Sequence, residues 1–378
     1  MVNIGIICEY NPFHNGHIYH INKVKEMYPD SRIILVMSGN FLQRGDVSLI
    51  NKWDKTKIAL NHGIDLVIEL PFVFATQGAD KFAHGAIQIL NNLRVDKIVF
   101  GSECNDIEFL KNLANIQIYN DEYNLFVKKY VNDGINYPSA MSKALNELCG
   151  KTVDNPNDIL GLCYIKELLL MNSSIEPICI KRTSDYHSTK LDSICSARAI
   201  REAIKSNKDI SSFVPSDSLE FIEKKCFIDN YFLFLKYKIM TTDDLSMFVT
   251  VDDAIQYRIK KYINSCNSLG ELIQCVKTKR YTYNRIMRMF LHILCNFTNN
   301  ENDKCFDIHY IRVLGFNSSG RVFLRDVKES CSLPIISNFS SLSDIMLDIE
   351  FRSTCIYSII FSDNSIVESE YKNKPIII

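Results

Sequence analysis

The sequence predicts an α/β protein: a doubly wound parallel sheet followed by a helix-rich α+β region. Three observations carry this reading. Apolar runs of strand length alternate with helical periodicity through about the first hundred residues. The first of these runs hands over to a helix through His14-Asn15-Gly16-His17. Past Leu219 the alternation gives way to mostly helical spacing.

In order, Val2–Cys8 reads as a strand, and Asn15–Met27 as a helix with Ile18, Ile21, Val24 and Met27 along one face. Arg32–Met37 is a second strand, Trp53–Asn61 a helix, Leu66–Leu70 a third strand, Gln77–Leu90 a helix and Lys97–Phe100 a fourth strand. Strands this uniformly apolar need cover on both faces, which helical crossovers in a parallel sheet supply. Glu9–His14, Ser38–Asp46, Glu69–Phe72 and Gly101–Glu103 then all follow strand ends and should converge on the rim where such sheets bind ligands. Asp106–Lys151 is largely helical; Ile159–Met171 is a helix, Ile175–Ile180 a strand, Lys181–Asp192 a polar loop and Cys195–Lys205 a helix. Ser, Asn, Asp and Pro215 break the periodicity over Ser206–Ser218, which places one domain at 1–210 and a second at 211–378. In the second, Leu219–Phe297 is helix-rich, Thr298–Asp303 is a polar break, and Asp307–Ile378 mixes short strands with helices.

At 378 residues the chain exceeds one comfortable core, and a 47% hydrophobic, 23% charged composition is that of a soluble globular protein. A formal net charge of −1 excludes a strongly cationic nucleic-acid binder overall, though not a local basic patch. The 13 cysteines form no Cys-x-x-Cys pair, and several (Cys8, Cys163, Cys179, Cys275, Cys295) sit in apolar runs. Reduced, packed thiols fit this scatter better than disulfides or zinc. With no leader-like start and no run of transmembrane length, a cytoplasmic protein is expected.

The strand-to-helix handover carries chemistry. A helix N-terminus presents unpaired N–H groups and a positive dipole end, which favour an anion. His14 and His17 beside it could donate to a phosphate as charge builds during displacement, with Gly16 letting backbone approach a nucleotide. An i, i+3 histidine pair can also bind zinc, but no third ligand of suitable spacing follows, so no metal ligand is assigned. Arg44 in the Ser38–Asp46 loop could pair with a phosphate or a carboxylate. Glu69, before Pro71, reads equally as an orienter of a histidine or a capped turn, and Trp53 as a packing residue. Lys277–Arg288 interleaves cations with Tyr281 and Tyr283, a pattern suited to RNA phosphates and an unpaired base.

Asn11-Pro12-Phe13-His14-Asn15-Gly16-His17 resembles the signature of the nucleotidyltransferase superfamily, and Ser196-Ala197-Arg198-Ala199-Ile200-Arg201 is similar to its second signature, with Ala197 and Arg198 in place of small hydroxyl residues. Longer blocks, Glu9–His17, Met37–Gly45, Asp65–Pro71, Phe100–Glu103, Pro156–Leu160 with Tyr164, Lys181-Arg182 ahead of Tyr186-His187, and Arg312–Phe316, resemble the bacterial tRNA(Met) cytidine acetate ligase family over the whole chain. The resemblance implies a Rossmann-like nucleotidyltransferase domain and a tRNA-binding C-terminal region. It implies an ATP-dependent ligase that acetylates N4 of the wobble cytidine of elongator tRNA(Met) through acetyl-adenylate, releasing AMP and pyrophosphate. The alternative is a small-molecule adenylyltransferase of the same superfamily. His14, His17 and Arg201 would be catalytic. Ile7-Cys8-Glu9-Tyr10-Asn11-Pro12-Phe13-His14-Asn15-Gly16-His17-Ile18-Tyr19-His20, Gly101, Asn157, Arg182 and Ser196 would surround ATP, with Mg2+ on its phosphates. Thr183-Ser184-Asp185 departs from the Gly-rich stretch expected between Arg182 and Tyr186.

Overall fold

The computed structural model describes residues 1–182, 195–222 and 227–378. Strands β1 (Asn3–Cys8), β2 (Arg32–Ser38), β3 (Leu66–Leu70), β4 (Lys97–Ser102), β5 (Glu176–Lys181), β6 (Ile311–Phe316), β7 (Ile335–Ile336) and β8 (Ile376–Ile377) form one sheet. Its order is β5-β4-β1-β2-β3-β6-β7, with β8 also on β6. The first five run parallel, and β6 joins β3 antiparallel. Residues beyond 210 therefore complete the sheet that residues 1–210 begin.

The helices of the first part are α1 (Asn15–Met27), α2 (Lys52–Asn61), α3 (Phe72–Ala75), α4 (Ala79–Asn92), α5 (Ile107–Tyr119), α6 (Asp121–Asn132), α7 (Tyr137–Cys149), α8 (Pro156–Leu170) and α9 (Ala197–Lys205). Those of the second are α10 (Ser216–Ile222), α11 (Phe232–Met240), α12 (Asp253–Ile263), α13 (Leu269–Val276), α14 (Tyr283–Leu294), α15 (Asn299–Lys304), α16 (Ser318–Val327), α17 (Ile345–Phe361) and α18 (Ser365–Lys372). The helix expected over Gln77–Leu90 begins at Ala79, because Gly78 is its extended N-cap and Phe72–Ala75 forms a separate turn after Pro71.

Two apolar layers cover the sheet. Ile33, Leu35 and Met37 join Ile4 and Ile6 in the layer under α1, α2 and α9, while Ile34 and Val36 point into the layer that holds α3, α4 and α8. That alternation is the period of two of a strand covered on both faces. Gly5 faces α4, where a Cβ would stand 2.7 Å from Leu90 Cδ1, so only glycine lets the strand lie this close. The helices from α11 to α14 belong to the second layer, so their core is continuous with the sheet's. Among the described residues no helix is long and apolar enough to cross a membrane, and the described cysteines are free thiols. Cys163 and Cys295 are buried, whereas Cys8, Cys179 and Cys275 are half-buried.

Candidate active site

The carboxyl ends of β1, β4 and β5 and the N-termini of α1, α8 and α9 surround one cavity of about 260 Å³. The end of β1 turns sharply: Tyr10 has φ +48° and packs its buried ring edge-on against Phe13 and His17, at centroid distances of 4.8 and 4.6 Å. Asn11 accepts the Leu49 N–H at 2.7 Å, tying this turn to the loop after β2. The Asn11–Pro12 peptide bond is cis.

His14 is the extended N-cap of α1, and the two histidines cap the helix reciprocally. The Gly16 N–H donates to His14 Nδ1 at 3.0 Å, and the His14 N–H donates to His17 Nδ1 at 3.2 Å. Each neutral ring must therefore carry its proton on Nε2. Both rings are neutral: burial, then Arg182 and Arg201, push His14 down to about 3, and burial, then His14, His20 and Arg182, hold His17 well below the usual range. Burial and Arg182 likewise push His20 down to about 4. The cavity thus presents neutral N–H donors at the positive end of a helix, the arrangement that stabilises charge developing on a phosphate.

Two arginines face them. Arg182 follows β5, and its Nη1 donates to Asn157 Oδ1 at 3.3 Å, while Asn157 Nδ2 donates to Glu103 Oε1 at 2.5 Å. Asp158 fixes the start of α8 to the end of β4, accepting from Ser102 Oγ at 2.5 Å and from the Glu103 N–H at 2.9 Å. Arg182 Nε is buried with no hydrogen-bond partner among the described residues, 3.8 Å from Glu103 Oε1, and offers a donor to an anion in the cavity. Arg201, in the first turns of α9, donates from Nη1 to the Asn11 carbonyl at 2.7 Å and lies 3.9 Å from Asp46. Ser196 caps α9 by accepting the Ala199 N–H at 3.2 Å.

Of the residues expected from sequence, Ile7, Cys8, Glu9, Tyr10, Asn11, His14, Gly16, His17, Tyr19, His20, Gly101, Asn157, Arg182, Ser196 and Arg201 line this cavity. Pro12, Phe13, Asn15 and Ile18 do not. Phe13 lies in the core, stacked on His62 at 5.1 Å, and Asn15 bonds the Phe213 and Ser212 carbonyls, so these positions shape the turn instead of lining it. Arg44 lines the cavity as its loop position suggested. Thr183-Ser184-Asp185 and Tyr186-His187 lie outside the described residues.

Two readings need correction, and one residue escaped the sequence. Glu69 neither orients a histidine nor caps a turn; it is buried in ion pairs with Lys52 at 2.6 Å and Arg312 at 2.9 Å. Tyr281 is 4% exposed and donates to Asp252 at 2.5 Å, so it cannot stack on a base, whereas Tyr283 is half exposed. Lys55 was missed. It is fully buried, and its Nζ donates to the carbonyls of Glu9, Ser38 and Gly39 at 3.0, 2.8 and 2.8 Å, binding the ends of β1 and β2 together. Burial pulls its pKa down to about 7, yet three acceptors need three hydrogens, so the ammonium is the form that fits. No local signal marked it: Lys52, Lys55 and Lys57 share one polar stretch, of which Lys57 is exposed. Glu69, Glu350 and Glu370 form the one described acidic cluster close enough to hold a metal, and Lys52 Nζ lies among them within 3.2 Å of each.

Comparison with known proteins agrees with this geometry. Residues 1–373 match the HIGH Nucleotidyl Transferase family. The tRNA(Met) cytidine acetate ligase of Geobacillus sp. (strain WCH70) is 37% identical over 402 residues, covering 100% of both chains. That of Clostridium novyi (strain NT) is 38% identical, covering 98% of each. Crystal structures of Thermotoga maritima TmcAL superpose with TM-scores of 0.93 (apo; 31% identity, 100% of both chains) and 0.90 (bound with alpha-thio ATP; 32% identity, 100% of this chain and 99% of that one). The chain belongs to the HIGH nucleotidyltransferase family, in the group of the tRNA(Met) cytidine acetate ligases.

Proposed function

We propose that this chain is an ATP-dependent ligase that joins acetate to N4 of the wobble cytidine of elongator tRNA(Met), through an acetyl-adenylate. The observation that carries this is the meeting, in one cavity, of the His14 and His17 Nε2–H donors with Arg182 and Arg201. An acetate oxygen attacks the α-phosphate, the bond to the β-phosphate breaks, and pyrophosphate leaves. His14 and His17 donate to the α-phosphate oxygens, where negative charge grows, and Arg201 neutralises the departing pyrophosphate. Arg182 and Asn157 hold the nucleotide over Gly101, where a Cβ would stand 3.2 Å from Arg182 Cγ. The names of the relatives and the alpha-thio ATP bound to the Thermotoga protein support the same reading.

Mg2+ accompanying ATP would lower the cost of charge in the leaving group. The lining fits that role and no protein-held ion: Glu9 and Asp46 are its carboxylates among the described residues, and Asp46 lies beside Arg201. The adenylate then meets the cytidine amine. Residues 211–378 supply the RNA side through α14, where half-exposed Tyr283 precedes Arg285 and Arg288. A tRNA substrate makes the cytoplasm the place of action. The test is incorporation of labelled acetate into unmodified tRNA with and without ATP, followed by nucleoside analysis. Label found only with ATP, as N4-acetylcytidine in methionine tRNA, is the expected result. Pyrophosphate release without any label in tRNA would reject it in favour of a small-molecule adenylyltransferase.

A further inference from the structure

We propose that Glu9 is the general base of the second half-reaction, its carboxylate taking a proton from the cytidine amine as that nitrogen attacks the acetyl carbon. The assignment rests on the ligase reading above. In the step, the bond from N4 to the acetyl carbon forms, the bond from that carbon to the AMP phosphate oxygen breaks, AMP leaves with the electron pair, and the proton shed by nitrogen goes to Glu9. An exocyclic amine conjugated with its ring is a poor nucleophile, so removal of that proton is where a base contributes most.

The cavity offers few other candidates. Asp46, the second lining carboxylate among the described residues, accepts its neighbour's Val47 N–H at 3.0 Å and lies 3.9 Å from Arg201, the cation assigned to pyrophosphate. His14 and His17 spend their Nδ1 lone pairs on backbone N–H groups and face the cavity as donors. His20, pushed down to about 4, is a weaker base than an ordinary imidazole. Glu9 uses one oxygen, Oε1, to accept the Gln43 N–H at 2.7 Å and keeps the other for a proton. Burial raises its pKa, an effect partly offset by the Gln43 N–H, Arg44, Lys55 and Arg201, which makes it a stronger base than an exposed glutamate.

Its position matches the direction from which RNA would arrive. The Gln43 carbonyl accepts from Arg288 Nη1 on α14 at 3.3 Å. Gly45, φ +78°, lies so close to α14 that a Cβ would stand 2.4 Å from the Arg288 nitrogen. Glu9 thus lines the same cavity as the two histidines and is linked through Gln43 to the basic helix, with its own carbonyl held by Lys55.

Two half-reactions separate this role from a merely structural one. Acetate-dependent ATP–pyrophosphate exchange reads adenylate formation, and single-turnover transfer from preformed acetyl-adenylate to tRNA reads the second step. Glu9→Gln keeps an acceptor for the Gln43 N–H but cannot take a proton. It should lower exchange by less than ~10-fold and transfer by ~100-fold or more, with Glu9→Asp transferring better than Gln. Equal losses in both assays, unimpaired transfer, or an Asp variant no better than Gln would each overturn the assignment. Absence of acetate-dependent exchange in the unmutated enzyme would instead reject the ligase reading beneath it.

Discussion

A histidine that caps a helix through Nδ1 has its tautomer chosen by the backbone, and His14 and His17 both do so. Removing His17 should therefore cost both a donor and a cap, two effects that can be separated. His17→Ala is expected to slow adenylate formation at least ~100-fold, the scale of losing one preorganised donor. His17→Gln restores an acceptor at the third helical position, as in an ordinary capping box, so its urea midpoint should stay near that of the parent while exchange remains slow. Normal exchange in either variant would refute the assignment. The depressed pKa values also set a pH expectation. Rings already neutral above about 4 have nothing to lose on acidification from pH 8 to 5.5, so kcat/KM for ATP in exchange should not fall with an inflection near 6.5. Such an inflection, beyond the one that the phosphates of ATP and pyrophosphate contribute near pH ~6, would mean that the imidazoles are ordinary ones.

At the scale of elements, α9 matters because Arg201 sits in its first two turns, so the cap at Ser196 aims the guanidinium. Ser196→Ala should lower stability by about 1 kcal/mol in urea titration and slow exchange by more than that loss explains. A variant that loses stability but exchanges at the parental rate would show that the cap supports the fold alone. The parallel strands were legible because both of their faces are apolar, and α1 because Asn11-Pro12 break the preceding strand and Ile18, Ile21 and Val24 mark its inner face. Other features left no local mark. Asp307–Ile378 reads only as short strands mixed with helices, and the pairing of β6 with β3 is a choice between distant segments. Gly315 on β6 instead lets α2 and β8 come close, since a Cβ there would meet Thr56 Cγ2 at 2.7 Å and the Ile376 carbonyl at 2.9 Å. Separation along the chain likewise hid the partners of Glu69, 17 positions away at Lys52 and 243 away at Arg312. Within the site, the motif residues were found because strand-to-helix spacing exposes them, whereas Lys55 acts on backbone carbonyls brought together only by the folded sheet.

The whole molecule is held at its centre by charge. Lys52 on α2, Glu69 on β3, Arg312 on β6, Glu350 on α17 and Glu370 on α18 form one buried cluster joining both parts of the chain. Removing the ammonium leaves three carboxylates facing one guanidinium, so Lys52→Met should cost about 3–5 kcal/mol in urea titration. A loss under about 1 kcal/mol would show that the cluster relaxes around the gap. With all five groups ionised the cluster carries one surplus negative charge, and burial together with Glu69 pushes the Glu350 carboxyl up from 4.5 to about 7 against the pull of Lys52. Between those values the folded protein holds a proton that the unfolded chain has released. This group's contribution to stability is therefore largest at acid pH, declines as pH rises from about 5 to 7, and is level above that. Half-buried His84, raised by Glu167 and Asp307, contributes with the same sign nearby, so the slope of the unmutated protein alone would not identify the source. Glu350→Gln fixes the neutral form and isolates it. The urea midpoint of the parent relative to the variant should decline from pH 5 to 7 and hold level from 7 to 8. Parallel curves would place the surplus charge elsewhere and leave Glu350 ionised throughout.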